Sequence, residues 1–419
     1  MSHIWEHNPW YSICRPYTDF CTTQSYRAFE IHGKRSIPKD GAVIIAPNHC
    51  NTLMDAMVTA AFRKKPIVFG ARADIFDNKT VASILTFLRI LPMVRRRDGI
   101  RKVLRNYETI NSATDVLVNN VPFCIFSEGT HRPKHSLLPI NKGIVRVALS
   151  TVERLEGKKP VYIIPTGLEY GDYFRYRSTV NITFGKPIDV TAFVKGHPEM
   201  SDAEIYNHIR GMIHDGIAEL ITYLPDDEKY DGRWSLLKIK TTPLRGLTHI
   251  RLKKTQKAAE EVLRAPDELL ERAKAFDEER KAARISMRVF GRRDLIGKTI
   301  VWIALLPLFV IATILTLPMW GAAEWLCRNK IKDKAFRNTA RYGARVVGNI
   351  LMSIIWTIVF FVNFKWYFAV AGLIYFFFSF NVFYDYLELS RRLLSGWRLL
   401  RRKDLKAEFE AIRAEAEKI

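Results

Sequence analysis

The chain has 419 residues, of which 48% are apolar and 12% aromatic, and its 65 Lys and Arg against 43 Asp and Glu give a net charge of +22. This composition excludes a disordered chain, and the length predicts about two or three domains. The five cysteines are odd in number and form no Cys-x-x-Cys pair. This spacing excludes a disulfide scaffold and a structural zinc site, and it predicts a reduced, cytosol-facing protein.

The positive charge is unevenly placed, with a net +8 in residues 1–240 and +14 in the remainder. Three basic segments of the second part, each beside a long apolar run, together carry +17, more than the whole net charge of that part: residues 281–298, 328–345 and 391–406. Basic residues beside apolar spans are typical of the cytoplasmic flanks of membrane helices, where they meet anionic lipid. Because the sequence shows no nucleic-acid-binding motif, we predict anionic membrane lipid, and no nucleic acid, as the partner of this charge.

The first half of the chain alternates strand-like and helix-like segments. Seven aromatic residues within residues 1–29 predict an N-terminal interfacial segment at the lipid headgroups, with packing on the domain as the alternative. Five short runs predict strands, at residues 42–46, 66–69, 123–126, 161–164 and 179–184. Helices are predicted between them, at residues 81–89 and 144–155, and a capping-box pattern at Ser201 and Glu204 opens a further helix to about residue 224. This alternation predicts an α/β domain over residues 30–225.

The second half predicts helices and membrane segments. Residues 251–284 predict one long exposed helix within a helical linker over residues 226–298. The uncharged run 299–320 is long enough to span a bilayer, but Pro307 predicts a bend and a re-entrant segment, with a simple spanning helix as the alternative. Residues 346–384, interrupted at Asn363–Lys365, predict a helical hairpin, and residues 385–419 a basic cytosolic tail. With this topology all three basic segments face the cytosol.

Two motifs carry side chains suited to catalysis or to phosphate binding. His49 follows the strand at 42–46, and Asp55 comes one to two turns later, so the two can form a base with an orienting carboxylate. Arg95 and Arg97 end an apolar run, and their planar guanidinium groups suit bidentate phosphate binding. Taken separately, each motif is better explained structurally, the first by a helix-capping Asp with a satisfied His and the second by a solvated charge run.

A third motif, Phe126-Ser127-Glu128-Gly129-Thr130, follows the strand at 123–126. Its glycine lets the backbone approach a ligand, and Arg132 and Lys142 follow as candidate phosphate ligands, although an ordinary strand-to-turn junction fits the pattern too. His131 and His135 are four residues apart, but Pro133 between them argues against a helical metal-ligand pair. We therefore predict no metal and no cofactor, and we take Cys50 as a bystander. A fourth motif, Ile164-Pro165-Thr166-Gly167, also lies at a strand end.

In order and spacing, these motifs resemble the glycerolipid acyltransferase family over roughly residues 25–225. The family's first block is Asn-His-x4-Asp and its third is Phe-Pro-Glu-Gly-Thr-Arg, and residues 180–188 look like the strand that closes its domain. Here five residues separate His49 from Asp55, a spacing similar to that of the fungal glycerol-3-phosphate/dihydroxyacetone-phosphate acyltransferase branch. Ser127 replaces the family's proline, and His131 stands at its arginine with Arg132 one place later. The resemblance implies a glycerolphosphate-acyltransferase-like domain, a mixed sheet flanked by helices, followed by a helical linker and C-terminal membrane helices.

The resemblance also implies a role for each matching residue. His49 would be the general base and Asp55 its orienter. Arg95, with Arg97 as a rival, would bind the substrate phosphate, and Arg132 or Lys142 would add positive charge. The acceptor would be held by Glu128, Gly129 and Thr130. No covalent acyl-enzyme is required.

The function so implied is transfer of an acyl group from acyl-CoA or acyl carrier protein to glycerol-3-phosphate or dihydroxyacetone phosphate. The alternatives are an acyltransferase for lysophosphatidate or another lyso-lipid, and an idle lipid-binding or tethering protein. We expect a multi-pass membrane protein whose catalytic domain lies on the cytosolic face of a bacterial inner membrane or of the endoplasmic reticulum.

Overall fold

A computed structural model describes residues 3–61, 66–93, 103–242, 250–291 and 295–419. The strands within these ranges are β1 Tyr26–His32, β2 Ala42–Pro47, β3 Val68–Arg72, β4 Ile90–Met93, β5 Phe123–Ile125, β6 Val161–Tyr170, β7 Ser178–Phe184 and β8 Ile188–Asp189. The helices up to residue 240 are α1 Pro9–Gln24, α2 Leu53–Ala60, α3 Lys79–Phe87, α4 Val103–Val118, α5 Lys142–Arg154, α6 Val190–Gly196, α7 Asp202–Ala218 and α8 Tyr230–Lys240. Those that follow are α9 Leu252–Val262, α10 Asp267–Ala282, α11 Leu295–Ala304, α12 Leu306–Leu315, α13 Leu317–Asn329, α14 Arg337–Asn363, α15 Trp366–Leu400 and α16 Lys403–Ala416.

The strands form one mixed sheet in the order β1-β7-β6-β2-β5-β3-β4, with β8 antiparallel to β6. Strand β2 is parallel to both β5 and β6, and β3 is parallel to both β5 and β4. Five neighbouring strands therefore end at one edge of the sheet. All six residues of β2 are buried, as expected of a parallel strand covered on both faces. The predicted mixed α/β fold, followed by a helical C-terminal region, is confirmed.

The strands predicted at 42–46, 123–126 and 179–184 agree with the structure to within one residue, whereas β3 begins two residues later and ends three residues later than predicted. Strand β6 differs most. It was expected to stop at residue 164, before Pro165, but it continues to Tyr170. Proline removes only a donor, so its carbonyl can still take part in pairing. The carbonyl of Pro165 accepts the N–H of Gly185 at 2.9 Å, and that of Thr166 accepts the N–H of Asn48 at 3.3 Å.

The predicted capping box is present at the start of α7. The Ser201 hydroxyl accepts the backbone N–H of Glu204, and the Glu204 carboxylate accepts the Ser201 N–H at 2.8 Å. These two bonds satisfy donors that the first turn of a helix otherwise leaves open. The helix ends at Ala218, six residues before the predicted end.

The chain divides into two compact units. The first unit comprises Met1–Phe20, Glu30–Glu169 and Asn181–Ile221, and the second comprises Cys21–Phe29, Tyr170–Val180 and Thr222–Ile419. The core of the first unit lies in the buried strands of the sheet and in the apolar face of α5.

In the second unit, the prediction of one long exposed helix over residues 251–284 is wrong. Two helices, α9 and α10, are separated at Pro266, and both pack with α8 and α16 around a shared apolar core. Proline disfavours the helical conformation of the residue before it, which explains the break. Leu269, Leu270 and Phe276 are almost completely buried because their face of α10 lies in that core.

The second unit also contains the membrane candidates. Among the described helices, two are long and apolar enough to cross a membrane: the helical segment Lys334–Asn363, which includes α14, and α15. The chain breaks between them at Phe364 and Lys365, where a hairpin tip was predicted. Helices α11 and α12 together pass the same test but are bent by 49° at Leu305, two residues before Pro307. Length and composition thus allow two spans, or three if the bent pair is one span.

Polar contacts cluster at one end of the α14–α15 pair. The guanidinium of Arg345 is fully buried and donates to the Asn381 side chain at 2.5 Å and to the Tyr176 hydroxyl at 3.4 Å. Farther along α15, Asp385 pairs with Arg27 at 2.7 Å and with Arg177 at 3.0 Å. A buried charge such as that of Arg345 needs such partners, and its contact with Asn381 joins α14 to α15.

Candidate active site

His49 follows the carboxyl end of β2, and the side chain of the preceding residue, Asn48, fixes the position of the chain there. The Asn48 side chain donates to the carbonyl of Leu168 at 3.1 Å and accepts the N–H of the same residue at 2.7 Å. This two-point contact ties the exit of β2 to β6. Carboxyl ends of parallel strands are where ligands bind in open α/β sheets.

The His49 ring is paired with Asp55. Its Nδ1 lies 2.8 Å from Oδ2 of Asp55, which is fully buried in the first turn of α2. The same carboxylate oxygen accepts the backbone N–H groups of Cys50 at 2.8 Å and Asn51 at 2.6 Å. An ionised Asp55 therefore keeps the proton on Nδ1, which leaves Nε2 as the basic nitrogen. The two side chains are in contact although five residues separate them, one more than in the family's Asn-His-x4-Asp block.

Two rings surround His49. Phe126 stacks against it with ring centroids 4.3 Å apart, and His131 meets it edge-on at 5.7 Å. The His49 side chain retains 18% exposure, so one small face of the imidazole stays accessible. The aromatic position at Phe126 was part of the predicted motif, but its packing on the histidine was not predicted from the sequence.

Both carboxylate oxygens of Glu128 accept backbone N–H groups. One of its carboxylate oxygens accepts the N–H of His49 at 2.8 Å, and the other accepts the N–H of Leu138 at 2.9 Å. Burial raises the pKa of Glu128, although these two hydrogen bonds and the charge of Arg132 oppose the shift. The residue thus joins the His49 loop to the loop that follows β5.

The remaining residues of this motif form a tight turn. Gly129 has φ +71°, a conformation that favours glycine, and its N–H donates to the carbonyl of Phe126 at 3.0 Å. Thr130 is exposed. The backbone N–H of Arg132 donates to the His49 carbonyl at 2.9 Å, and its guanidinium donates to the Ser136 hydroxyl at 2.8 Å.

The outer cationic candidates are only partly described. Lys142 is the exposed first residue of α5, and the N–H of the preceding Asn141 donates to the Ser127 carbonyl at 2.8 Å, which places the start of this helix beside the motif. Arg95 and Arg97 lie outside the described residues.

Two buried groups near the site were not recognised as such from the sequence. His135 and Glu169 are both almost fully buried, with Nδ1 and Oε1 3.5 Å apart. No local pattern predicts this pair, because 34 residues separate its members and only the fold brings them together.

Burial, followed by the charges of Asp55 and Glu128, raises the pKa of Cys50 well above its usual value. A thiol in this environment stays protonated, which disfavours it as a nucleophile. Within the described part of the chain, no three His, Cys, Asp or Glu side chains are grouped to hold a metal.

Together these contacts define a class of site: an α/β domain with an oriented histidine base at the carboxyl edge of its parallel strands. Such a base can accept the proton of a hydroxyl as the hydroxyl attacks an electrophile.

Residues 28–169 match the family model described as Acyltransferase. An uncharacterized acyltransferase of Schizosaccharomyces pombe is 26% identical over 113 residues, 27% of this chain and 17% of that protein. Glycerol-3-phosphate O-acyltransferase 2 of Saccharomyces cerevisiae is 36% identical over 85 residues, 20% of this chain and 11% of that protein. The matched segments thus span less than a fifth of either relative. The crystal structure of the 1-acyl-sn-glycerophosphate acyltransferase from Thermotoga maritima aligns with 50% of this chain and 79% of its own, at 21% identity and a TM-score of 0.37.

Proposed function

We propose that the protein transfers an acyl group from a thioester to a hydroxyl of a glycerol phosphate, as a membrane-bound enzyme of glycerolipid synthesis. The observation that carries this proposal is the 2.8 Å pair of His49 and Asp55 inside the acyltransferase-family domain. The name of the yeast relative supports glycerol-3-phosphate as the first-choice acceptor. Dihydroxyacetone phosphate is the variant of that choice, and lysophosphatidate or another lyso-lipid is the alternative.

In this mechanism His49 takes the hydroxyl proton on Nε2 while the oxygen attacks the thioester carbonyl. Asp55 stabilises the imidazolium that forms, because its charge lies against Nδ1. The acyl carbon changes partner from sulfur to oxygen, and the thiol of acyl-CoA or acyl carrier protein leaves with the proton. General-base assistance of this kind is worth roughly 10²–10⁴ in rate.

The phosphate of the acceptor requires cationic partners. We propose Arg95, with Arg97 as its rival, for this role, and Arg132 or Lys142 as further positive charge. Gly129 and Thr130 would contact the acceptor at the turn after β5. For Glu128 we propose a positioning role in place of the direct acceptor contact that the family resemblance implies, because both of its oxygens already accept backbone N–H groups.

We also propose a multi-pass protein with the catalytic domain on the cytosolic side. The support is the pair of candidate spans and the basic segments beside the apolar runs. A long-chain acyl donor and a lipid product fit this location, because the product can enter the bilayer directly.

The decisive experiment offers one long-chain acyl-CoA with glycerol-3-phosphate or lysophosphatidate in separate reactions to the purified full-length chain, with products read by mass spectrometry. His49→Ala should abolish turnover with the fold intact. His214→Ala is the matched control, because His214 also lies 3.0 Å from a carboxylate, that of Asp215, but on the surface of α7.

The acceptor arms separate the candidates. Lysophosphatidate formed from glycerol-3-phosphate supports the first choice, and phosphatidate formed only from the lyso-lipid supports the alternative. Unchanged turnover in His49→Ala would overturn the mechanism. Silence with both acceptors, repeated with acyl carrier protein as donor, would favour an idle lipid-binding protein.

A further inference from the structure

The buried pair of His135 and Glu169 takes no part in the proton transfer from the acceptor to His49. The two side chains are 3% and 2% exposed, and Nδ1 of the imidazole lies 3.5 Å from Oε1 of the carboxylate. Both residues belong to the first unit, which also contains His49. Apolar residues of similar volume usually stabilise a core at least as well as a buried ion pair does, so this pair favours a role beyond stability.

Glu169 lies in the part of β6 that holds the chain around His49. It directly follows Leu168, whose N–H and carbonyl are both bonded by the Asn48 side chain, at 2.7 Å and 3.1 Å. The Cys50 thiol lies 3.9 Å from the same carbonyl. Because Asn48 and Cys50 flank His49, the backbone that carries Glu169 is tied to the backbone that carries the candidate base.

His135 lies in the loop that follows Gly129 and contains Arg132. The backbone N–H of Arg132 donates to the His49 carbonyl at 2.9 Å. The Arg132 guanidinium donates at 2.8 Å to the hydroxyl of Ser136, the neighbour of His135, and Ser136 is buried. The segment from Arg132 to Ser136 is therefore attached to the His49 loop at one end and, through His135, to β6 at the other.

The charge of Arg132 acts close to the candidate base. Burial raises the pKa of Glu128, and the charge of Arg132 is among the groups that oppose this shift. The Glu128 carboxylate in turn accepts the N–H of His49 at 2.8 Å. A guanidinium in this position can bind an acceptor phosphate while the acceptor hydroxyl meets the base. Such binding requires a fixed side chain, because a displacement of about 1 Å in a positioning group can cost about 10² in rate.

We infer that His135 and Glu169 are positioning residues that hold Arg132 where its guanidinium meets the acceptor phosphate. This role rests on the proposed function, in which Arg132 supplies positive charge for that phosphate. His135 fixes the loop against β6, Ser136 receives the guanidinium, and the pair itself contacts neither the acceptor nor the acyl group. Loss of the pair should therefore weaken phosphate binding and leave proton transfer to His49 unchanged.

The test is a double-mutant cycle on the full-length chain in detergent. Glu169→Gln removes the charge of the pair at nearly constant volume, Arg132→Ala removes the guanidinium, and a third variant combines both. Calorimetry measures the Kd of glycerol-3-phosphate and, in separate titrations, that of lysophosphatidate, while kinetics with one acyl-CoA give KM and kcat. Because Kd requires no turnover, the cycle is complete even for a chain that transfers no acyl group.

We expect each single variant to raise the Kd of the acceptor about tenfold, as the loss of a hydrogen bond to a charged group does, and the double variant to bind no more weakly than Arg132→Ala alone. The kcat at saturating acceptor should stay within about twofold in Glu169→Gln. A role in stability alone would lower the melting temperature and leave Kd unchanged.

Glu30→Gln is the matched control. Glu30 also lies 3.3 Å from an imidazole, that of His32, but at a solvent-exposed pair in the same unit, so Kd should be unchanged. A second cycle replaces Glu169→Gln by the combination of His135→Leu and Glu169→Leu, because apolar residues usually replace a buried ion pair without loss of stability. The same rise in Kd, and the same absence of a further effect beside Arg132→Ala, is expected.

Three results would overturn the proposal. The first is an unchanged Kd in Glu169→Gln or in the leucine pair, and the second is a rise that persists in full beside Arg132→Ala, because the pair would then act independently of Arg132. The third is Arg132→Ala without effect on Kd, or a wild type that binds neither acceptor. Failure of the proposed function is a different result: the wild type transfers no acyl group to either acceptor, while the Kd cycle can still show the coupling.

Discussion

Thr52 explains how two residues six apart in sequence form the candidate catalytic pair. Its φ of +47° is unusual for a β-branched residue, and it lies at the N-cap of α2, where the chain turns so that Asp55 faces back toward His49. Such strain costs about 1–3 kcal/mol and persists where surrounding contacts stabilise it. The hydrogen bonds that the Asp55 carboxylate accepts from the backbone N–H groups of Cys50 and Asn51 provide part of that stabilisation.

Glu128→Gln tests whether this residue positions the base or contacts the acceptor. The amide retains one acceptor oxygen, so either the His49 or the Leu138 N–H then faces an amide donor. An unsatisfied buried donor costs about 1–3 kcal/mol and shifts the His49 loop. We expect kcat to fall at least about tenfold, while the KM for the phosphorylated acceptor stays within about twofold.

Glu204→Gln is the control for this measurement. Its carboxylate also accepts a backbone N–H, that of Ser201, but at the exposed start of α7, so kinetics should be unchanged. A large rise in the KM for the acceptor in Glu128→Gln, with kcat preserved, would instead support a direct contact between Glu128 and the acceptor.

At the scale of elements, the contact between β6 and the chain after α7 depends on Gly167. A Cβ atom at this position would lie 2.6 Å from both the carbonyl oxygen and the Cβ of Leu220. Gly167→Ala should therefore destabilise the first unit by about 1–3 kcal/mol, as overpacked cores do. Thermal unfolding in detergent, followed by circular dichroism, measures the loss.

Gly143→Ala provides the comparison, since a Cβ there meets nothing within 4 Å. Alanine in the exposed part of α5 should be neutral or stabilising by up to about 1 kcal/mol. Equal melting temperatures for the two variants would contradict the close approach at Gly167.

The packing of α8 on α10 depends on a buried carboxylate. Asp277 is 1% exposed and contacts Lys238 at 2.6 Å, Arg280 at 2.5 Å and Lys281 at 2.7 Å. Although burial opposes ionisation, the charges of Lys238 and Arg280 lower the pKa of Asp277 well below its usual range. A lowered folded-state pKa gives stability that is present above the unfolded value of about 3.9 and lost as the pH falls below it.

Asp277→Asn should therefore cost about 3–5 kcal/mol at pH 7, because it leaves buried cations without their carboxylate. The difference from the wild type should shrink as the pH falls below about 4, because the Asp277 carboxyl of the unfolded chain then takes up its proton while that of the folded chain does so only at lower pH. Urea unfolding at several pH values measures both effects. Asp404→Asn, which removes an ion pair with Arg402 at a site where Asp404 is 59% exposed, should show little effect at any pH. A pH-independent loss in Asp277→Asn would contradict the assignment.

At the scale of the whole molecule, the prediction that remains is the side of the membrane on which residues 328–345 lie. The 49° bend between α11 and α12 permits a re-entrant segment, and the positive-inside tendency favours it. A cysteine introduced at Lys334, in a chain with Cys14 replaced, should react with a membrane-impermeant thiol reagent only after the cytosolic face is opened. Modification from the outside of intact cells would establish a full span over residues 299–320 instead.

Much of the architecture follows from local pattern. Apolar runs before proline or glycine predicted the buried strands, the Ser201–Glu204 capping box predicted the start of α7, and the polar break at Asn363–Lys365 predicted the hairpin. These features depend on neighbours in sequence, which is why a one-dimensional reading detects them. The order of the motifs likewise indicated the family before any geometry was known.

Other features required the three-dimensional fold. Helices α9 and α10 looked solvent-exposed because their charged residues mask a narrow apolar face, which becomes a core only when α8 and α16 cover it. Glu128 looked like a ligand contact, and only the folded chain shows that its oxygens accept the N–H groups of His49 and Leu138. The amino-acid sequence by itself determined the mixed α/β class, most of the buried strands and the pairing of candidates His49 and Asp55, because these depend on local spacing. The tertiary structure decided which N–H groups the Glu128 carboxylate accepts and which face of α9 and α10 is buried, because both depend on contacts between residues distant along the chain.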